Sequence, residues 1–178
     1  MAYRVFREVT KLVKPKVRRH LDSNGTLLKT DYIDELIEAG CNNFGIEPKC
    51  VSIETYMKIT GLRNRDLARK YLETSWKVIE YIDEKYGDKV FLGVGLVYNR
   101  ELVGLEEIAK AGEKIANINP KLQVTVLDYF PAFRRRHLKR PTVKEMLEVK
   151  RTLEGQGLKT VVVQTEIGHM GPGNVKRP

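Results

Sequence analysis

Residues 89–97 read KVFLGVGLV, an almost unbroken apolar run closed by Tyr98 and Asn99. A run this short suits a strand buried on both faces, as in parallel sheets, better than the apolar–polar alternation of a half-solvated hairpin. Its flanks support that reading. Upstream lies TGLRNRDLARKYLETSWKVIEYIDEKYGD (60–88), where Leu67, Tyr71, Leu72, Ser75, Val78, Ile79 and Ile82 recur at helical spacing. Asn64 is placed to cap this helix and Gly87 to end it. Downstream, 101–117 has helical periodicity and stops at Asn119-Pro120. A strand between two helices is the signature of a βαβ unit.

The same alternation extends both ways. Residues 3–13 predict a helix ended by Pro15, and VRRHL (17–21) a short strand. Thr30 or Asp31 is expected to cap a helix through Ile33, Leu36 and Ile37, with Gly40 at its C-terminal turn. NFGIEPK (43–49) is the next strand, stopped by Pro48, and a short helix spans 53–59. LQVTVLDYF (122–130) and LKTVVVQT (158–165) are strands around the helix TVKEMLEVKRTLEGQG (142–157), in which Thr142 and Glu145 form a capping box. The fold class is therefore α/β, with an open parallel sheet of about four βα units plus a C-terminal strand. Residues 1–167 form a single domain, and the Gly- and Pro-rich 168–178 reads as a flexible tail.

Composition bounds the function. The chain has 178 residues, 42% of them hydrophobic, enough for one core of ordinary size. No apolar run approaches the roughly 18 residues of a membrane span, and the amphipathic N-terminus lacks the apolar stretch of a secretory signal. The expected location is the cytoplasm. Cys41 and Cys50 are the only cysteines and read as reduced packing residues. The formal charge is +9, concentrated in KLVKPKVRRH (11–20) and FRRRHLKRP (133–141). Such an excess suits acidic partners, although 31% charged residues is also the surface of a heat-stable protein.

Ligands of parallel α/β sheets gather at the carboxyl ends of the strands. Those ends carry Asp22, Ser23 and Asn24, then Glu47 and Lys49, then Tyr98 and Asn99, then Asp128, Tyr129, Pro131 and Phe133, with Arg134–Arg136 beyond. Carboxylates, a hydroxyl, an amide and a lysine on one rim suit a charged small molecule or a hard cation. The chain has no phosphate-binding glycine loop after a strand and no H-E-x-x-H pair. His20, His137 and His169 are scattered, and the sequence offers none of them a partner.

Four segments in order, HLDSNG (20–25), NFGIEPKCVSIETYMKITG (43–61), VFLGVGLVYN (90–99) and VTVLDYFPAFR (124–134), resemble the later part of radical S-adenosylmethionine (SAM) proteins. The likeness is to pyruvate formate-lyase activating enzymes and their archaeal relatives, and it covers most of residues 3–165. It implies a partial (β/α) barrel with SAM lying across the strand ends. Carried over by position, Asp22 and Ser23, with Asn24 beside them, would sit by the SAM carboxylate, where Asp22 and Glu47 could hold a monovalent cation. Glu47 and Lys49 match the D-x-K motif, with Glu in place of Asp and Pro48 behind it. Phe133 falls where such enzymes often carry a histidine.

The family's C-x-x-x-C-x-x-C loop and its glycine-rich G-G-E segment are absent from this sequence; both would precede residue 1. Two cysteines at the wrong spacing cannot converge on a [4Fe–4S] cluster. The resemblance thus implies a chain that retains part of the SAM rim, does not bind the cluster alone, and does radical chemistry only when completed. No residue is assigned a catalytic role. The expected partner is a cluster-bearing N-terminal half or a second copy, meeting the exposed edge of strand 17–22. Two other readings stand beside this one. The first is a non-catalytic SAM, nucleotide or metal-binding module. The second, less favoured, is a basic nucleic-acid binder acting through 133–141.

Overall fold

A computed structural model describes residues 2–132 and 135–171. Helix α1 (Ala2–Leu12) precedes β1 (His20–Ser23), α2 (Thr30–Glu38), β2 (Asn43–Lys49), α3 (Ile53–Thr60) and α4 (Arg65–Tyr86). Then follow β3 (Phe91–Tyr98), α5 (Leu105–Ile118), β4 (Gln123–Asp128), α6 (Val143–Gly155), β5 (Thr160–Thr165) and β6 (Gly168–Met170). The strands form one sheet in the order β1-β2-β3-β4-β5-β6. The pairings from β1 to β5 are parallel and β6 returns antiparallel on β5. The sheet is open, with β1 and β6 at its edges, as an incomplete barrel requires.

One face carries the core. Phe44, Ile46, Leu92, Val94, Leu96, Val124, Val126, Val161 and Val163 are buried in a single cluster with Ile79, Ile82, Ile108, Ile115, Met146 and Leu153 from the helices. The intervening residues, among them Gly45, Glu47, Gly93, Gly95, Thr125 and Leu127, are only half buried. The apolar run at 89–97 therefore serves two faces of different character, and its small glycines lie on the open one.

Several boundaries moved for physical reasons. β1 starts at His20, not Val17, because a turn from Lys14 to Val17 precedes it and the Asn42 side chain takes the Arg19 N–H. Asp22 and Ser23 are thus within the strand, and the free edge is 20–23. Pro48 does not stop β2. The ladder loses register between Ile46 and Lys49 and resumes with Lys49 beside Leu96, as expected where a residue without an N–H interrupts it. Lys29 rather than Thr30 or Asp31 occupies the N-cap of α2. The predicted α3–α4 junction is sharp: Gly61 closes α3 at φ 76° and the Asn64 side chain accepts the Leu67 N–H. Residues 168–170, read as the start of a frayed tail, form β6; residues 172–178 lie outside the described ones. Among the described residues no helix is long and apolar enough to cross a membrane.

The capping box of α6 forms as read, with Glu145 accepting the Thr142 N–H and the Thr142 hydroxyl accepting the Glu145 N–H. The Thr142 N–H is the main cause holding the Glu145 carboxyl below its usual range, with the Thr142 hydroxyl and Arg100 adding to it. A depressed carboxyl contributes stability that is full at neutral pH and is lost as pH falls through its folded-state value. Glu145→Ala should therefore cost about 1 kcal/mol at pH 7, and the gap to wild type in urea unfolding should narrow on acidification. A gap unchanged down to about pH 3, below the ordinary carboxylate range, would contradict this.

Candidate functional site

A cleft of about 560 Å³ lies on the open face, lined by His20, Asp22, Ser23, Asn24, Glu47 and Lys49, with Phe91, Gly95 and Thr125 among its other walls. Its size is that of a small-molecule site, roughly 300–1,000 Å³. Alternation along β1 and β2 places His20, Asp22, Asn43, Gly45, Glu47 and Lys49 toward it. Side chains can lie flat here only because glycines leave room. Asp22 leans over Gly45, where an added Cβ would stand 2.1 Å from Asp22 Oδ1. Glu47 leans over Gly95 in the same way, its Cβ and Cγ 3.3 Å from the Cβ position there.

Glu47 and Lys49 form a half-buried ion pair. Lys49 adopts φ 76°, the left-handed region, and is the sole non-glycine among the described residues to do so. That conformation costs on the order of 1 kcal/mol and follows from the register shift after Ile46, which turns the chain out of the ladder. Lys49→Gly should thus hold or raise stability, by up to about 1 kcal/mol, although an ion pair is lost. A substantially lower unfolding midpoint would show that the pair outweighs the strain.

Ser23 and Asn24 build the turn. The Ser23 hydroxyl accepts the Gly25 N–H at 3.1 Å, and Asn24 Oδ1 accepts the Thr26 N–H at 3.2 Å and its hydroxyl at 2.9 Å. The Ser75 hydroxyl on α4 donates to Asn24 O at 2.7 Å, tying the turn to the core. Both residues line the cleft, but their polar atoms are partly occupied, so Asp22, with its side chain 82% exposed, is the freest acceptor on β1.

Other rim residues do not join this cleft. Tyr98 and Asp128 alternate onto the helix face and are buried, and Asn99, just past the end of β3, is buried as well. Asp128 pairs there with Arg140 at 2.7 Å, and Asn99 donates to Lys139 O. Phe133 lies outside the described residues. Two arginines of the basic segment serve the fold: Arg140 at Asp128, and Arg135, which donates to Lys58 O and Ile59 O at the end of α3.

The cysteines are core residues. Burial pushes the Cys41 thiol up to about 11, and burial, with Glu107 nearby, pushes the Cys50 thiol higher still. Protonated thiols in two separate buried positions do not fit an iron–sulfur cluster. Among the described residues no group of three or more His, Cys, Asp or Glu is placed to hold a metal ion.

Sequence reasoning missed one site residue, His20. Its Nε2 is 2.8 Å from Asp22 Oδ1 and its Nδ1 contacts Asn43 Oδ1. The signal was the His-x-Asp spacing, which puts both side chains on one face of a strand.

No protein-family model matches the chain, and no curated protein matches its sequence. Solved structures do share the fold. A domain of pyruvate-formate lyase-activating enzyme from Bacteroides vulgatus matches with a TM-score of 0.68 at 14% identity, over 90% of this chain and 88% of that one. Streptococcus suis SuiB matches with a TM-score of 0.66 at 13% identity, over 92% of this chain. The S-adenosylmethionine-bound form of SuiB gives the same TM-score and identity. The chain spans only 35% of SuiB. The open, mostly parallel sheet and its helices thus share the fold of these proteins.

Proposed function

We propose that this chain supplies the strand-end half of a SAM site, completed for radical chemistry by a cluster-bearing polypeptide. The observation that carries the reading is the cleft itself. Asp22, Glu47 and Lys49 converge on the open face of a sheet whose fold matches that of a protein solved with S-adenosylmethionine. The donor set suits an amino acid moiety, with the carboxylates as acceptors for an ammonium group or monovalent cation and Lys49 as the partner of a carboxylate. When bound, SAM would supply a sulfonium-activated group. The residues here bind and orient it, and none is placed to deliver an electron. By itself the chain is a binder without redox activity.

The partner reading has its own support. β1 is the edge of a parallel sheet, and α1 shows an apolar stripe beside the side that packs on α2. Val5 is 62% exposed and Leu12 84%, at the spacing of one helical face. Each helix after a strand in such a sheet packs over the strand it leads from, so a strand entering α1 would lie beside β1, under that stripe. An added parallel strand would cover both at once.

Titration calorimetry tests the first half of the proposal. The isolated chain should bind SAM, and Asp22→Asn or Glu47→Gln should each weaken binding about tenfold or more, the effect of one charge-assisted hydrogen bond. A cleft that takes no SAM, alone or with sodium present, removes the reading. Calorimetry also separates the alternatives: tight binding by the chain alone favours a non-catalytic module, and weak binding favours a completed site.

A further inference from the structure

We infer that His20 is a positioning residue that fixes the Asp22 carboxylate for its ligand, held in turn by Asn43. The inference rests on the reading of the cleft as a ligand site, and it concerns a residue that reading leaves idle.

β1 and β2 pair with His20 beside Asn43 and Asp22 beside Gly45. Asn43 is 7% exposed and its side-chain oxygen meets His20 Nδ1. His20 Nε2 lies 2.8 Å from Asp22 Oδ1. An ionised carboxylate and an amide oxygen both only accept, so in this geometry the ring donates through both nitrogens, Nε2–H to Asp22 and Nδ1–H to Asn43. The buried amide thus anchors the ring, the ring grips one carboxylate oxygen, and Oδ2 is left for the cleft. Gly45 completes the device by vacating the space into which Oδ1 is drawn.

The arrangement has no evident role in the fold. The His20 and Asp22 side chains are 40% and 82% exposed, at a sheet edge, where an ion pair adds little stability. For binding it matters more. An exposed Asp otherwise samples several rotamers, and holding it in one before the ligand arrives removes part of the ordering cost of association.

Two measurements test this, one of them independent of any ligand. In long-range ¹H–¹⁵N spectra of the chain at neutral pH, the His20 ring, assigned by its loss in His20→Gln, should show a protonated Nε2. That signal should shift markedly in Asp22→Ala and in Gly45→Ala. Gly45→Ala should fold normally, because the new Cβ meets only the exposed Asp22 carboxylate and, at 3.3 Å, the partly exposed His20 Nε2. An unmoved ring signal in both variants overturns the inference, whether or not SAM binds. In calorimetry, His20→Ala should weaken SAM binding about five- to tenfold, His20→Gln should recover most of the loss, and His20→Ala/Asp22→Ala should bind no worse than Asp22→Ala. Multiplying losses overturn it too. Absence of SAM binding by the wild type overturns the proposed function, while the ring spectra still decide the inference.

Discussion

Arg140→Ala should destabilise the chain by about 3–5 kcal/mol, the usual result of stripping one partner from a buried ion pair. Asp128 ends β4 with its side chain 1% exposed, and Arg140 Nε is its cation at 2.7 Å. The second oxygen, Oδ1, is buried with no hydrogen-bond partner. The carboxylate therefore has a single compensating contact, and without Arg140 it would be a buried charge with none. The same guanidinium lies 5.3 Å from the centre of the Phe130 ring, so Arg140 helps tie the segment after β4 to the sheet, beside the Asn99 bond to Lys139 O. Urea unfolding should show the loss as a shifted midpoint with an unchanged slope. Replacing both residues, as in Asp128→Leu/Arg140→Leu, should cost less than Arg140→Ala alone, because no unpaired charge remains. Arg140→Ala within about 0.5 kcal/mol of wild type, the range of an ordinary surface substitution, would mean that water reaches Asp128.

This pair also marks where the sequence stops being legible. Strand and helix identities were readable because they depend on local periodicity, and the parallel order follows from right-handed connections. β2 was read at its observed limits, and the α6 capping box was read residue by residue. The face on which a strand-end residue lies depends on register, which a one-residue offset inverts. Asp128 was read on the ligand rim beside Asp22, yet it lies on the helix face. Its match is a cation twelve positions away, across a loop whose path no periodicity encodes. Lys49 shows the converse: its position on the strand-end rim was legible, whereas its left-handed backbone was not, because it arises from a break in pairing with β3. His20 needed only the period of a strand, but Asn43 beside it needed the β1–β2 register.

The second large effect lies at Glu107, where fold and site are joined. Glu107→Ala should cost about 2–4 kcal/mol, since hydrogen bonds to a charged group are worth about 1.5–3 kcal/mol each and buried donors would lose their acceptor. Glu107 sits in the first turn of α5, buried at 8% exposure. Its Oε1 accepts the Val51 N–H at 2.7 Å and the Ser52 N–H at 2.6 Å, and its Oε2 accepts the Ser52 hydroxyl at 2.9 Å. Ser52 is the N-cap of α3, and its side chain makes no cap of its own. A carboxylate from another helix thus does that work, at an end where the helix dipole favours negative charge. The clamp also fixes the chain two residues after Lys49, just where the backbone leaves its left-handed turn. Glu107→Gln keeps an oxygen for the two N–H groups, so it should cost clearly less than Glu107→Ala. If the clamp positions Lys49, Glu107→Ala should also weaken ligand binding in the cleft at temperatures well below its unfolding midpoint. Equal losses for Gln and Ala would show that the charge, not the hydrogen-bond geometry, holds α3 to α5. Unchanged binding in folded Glu107→Ala would confine the residue to the fold.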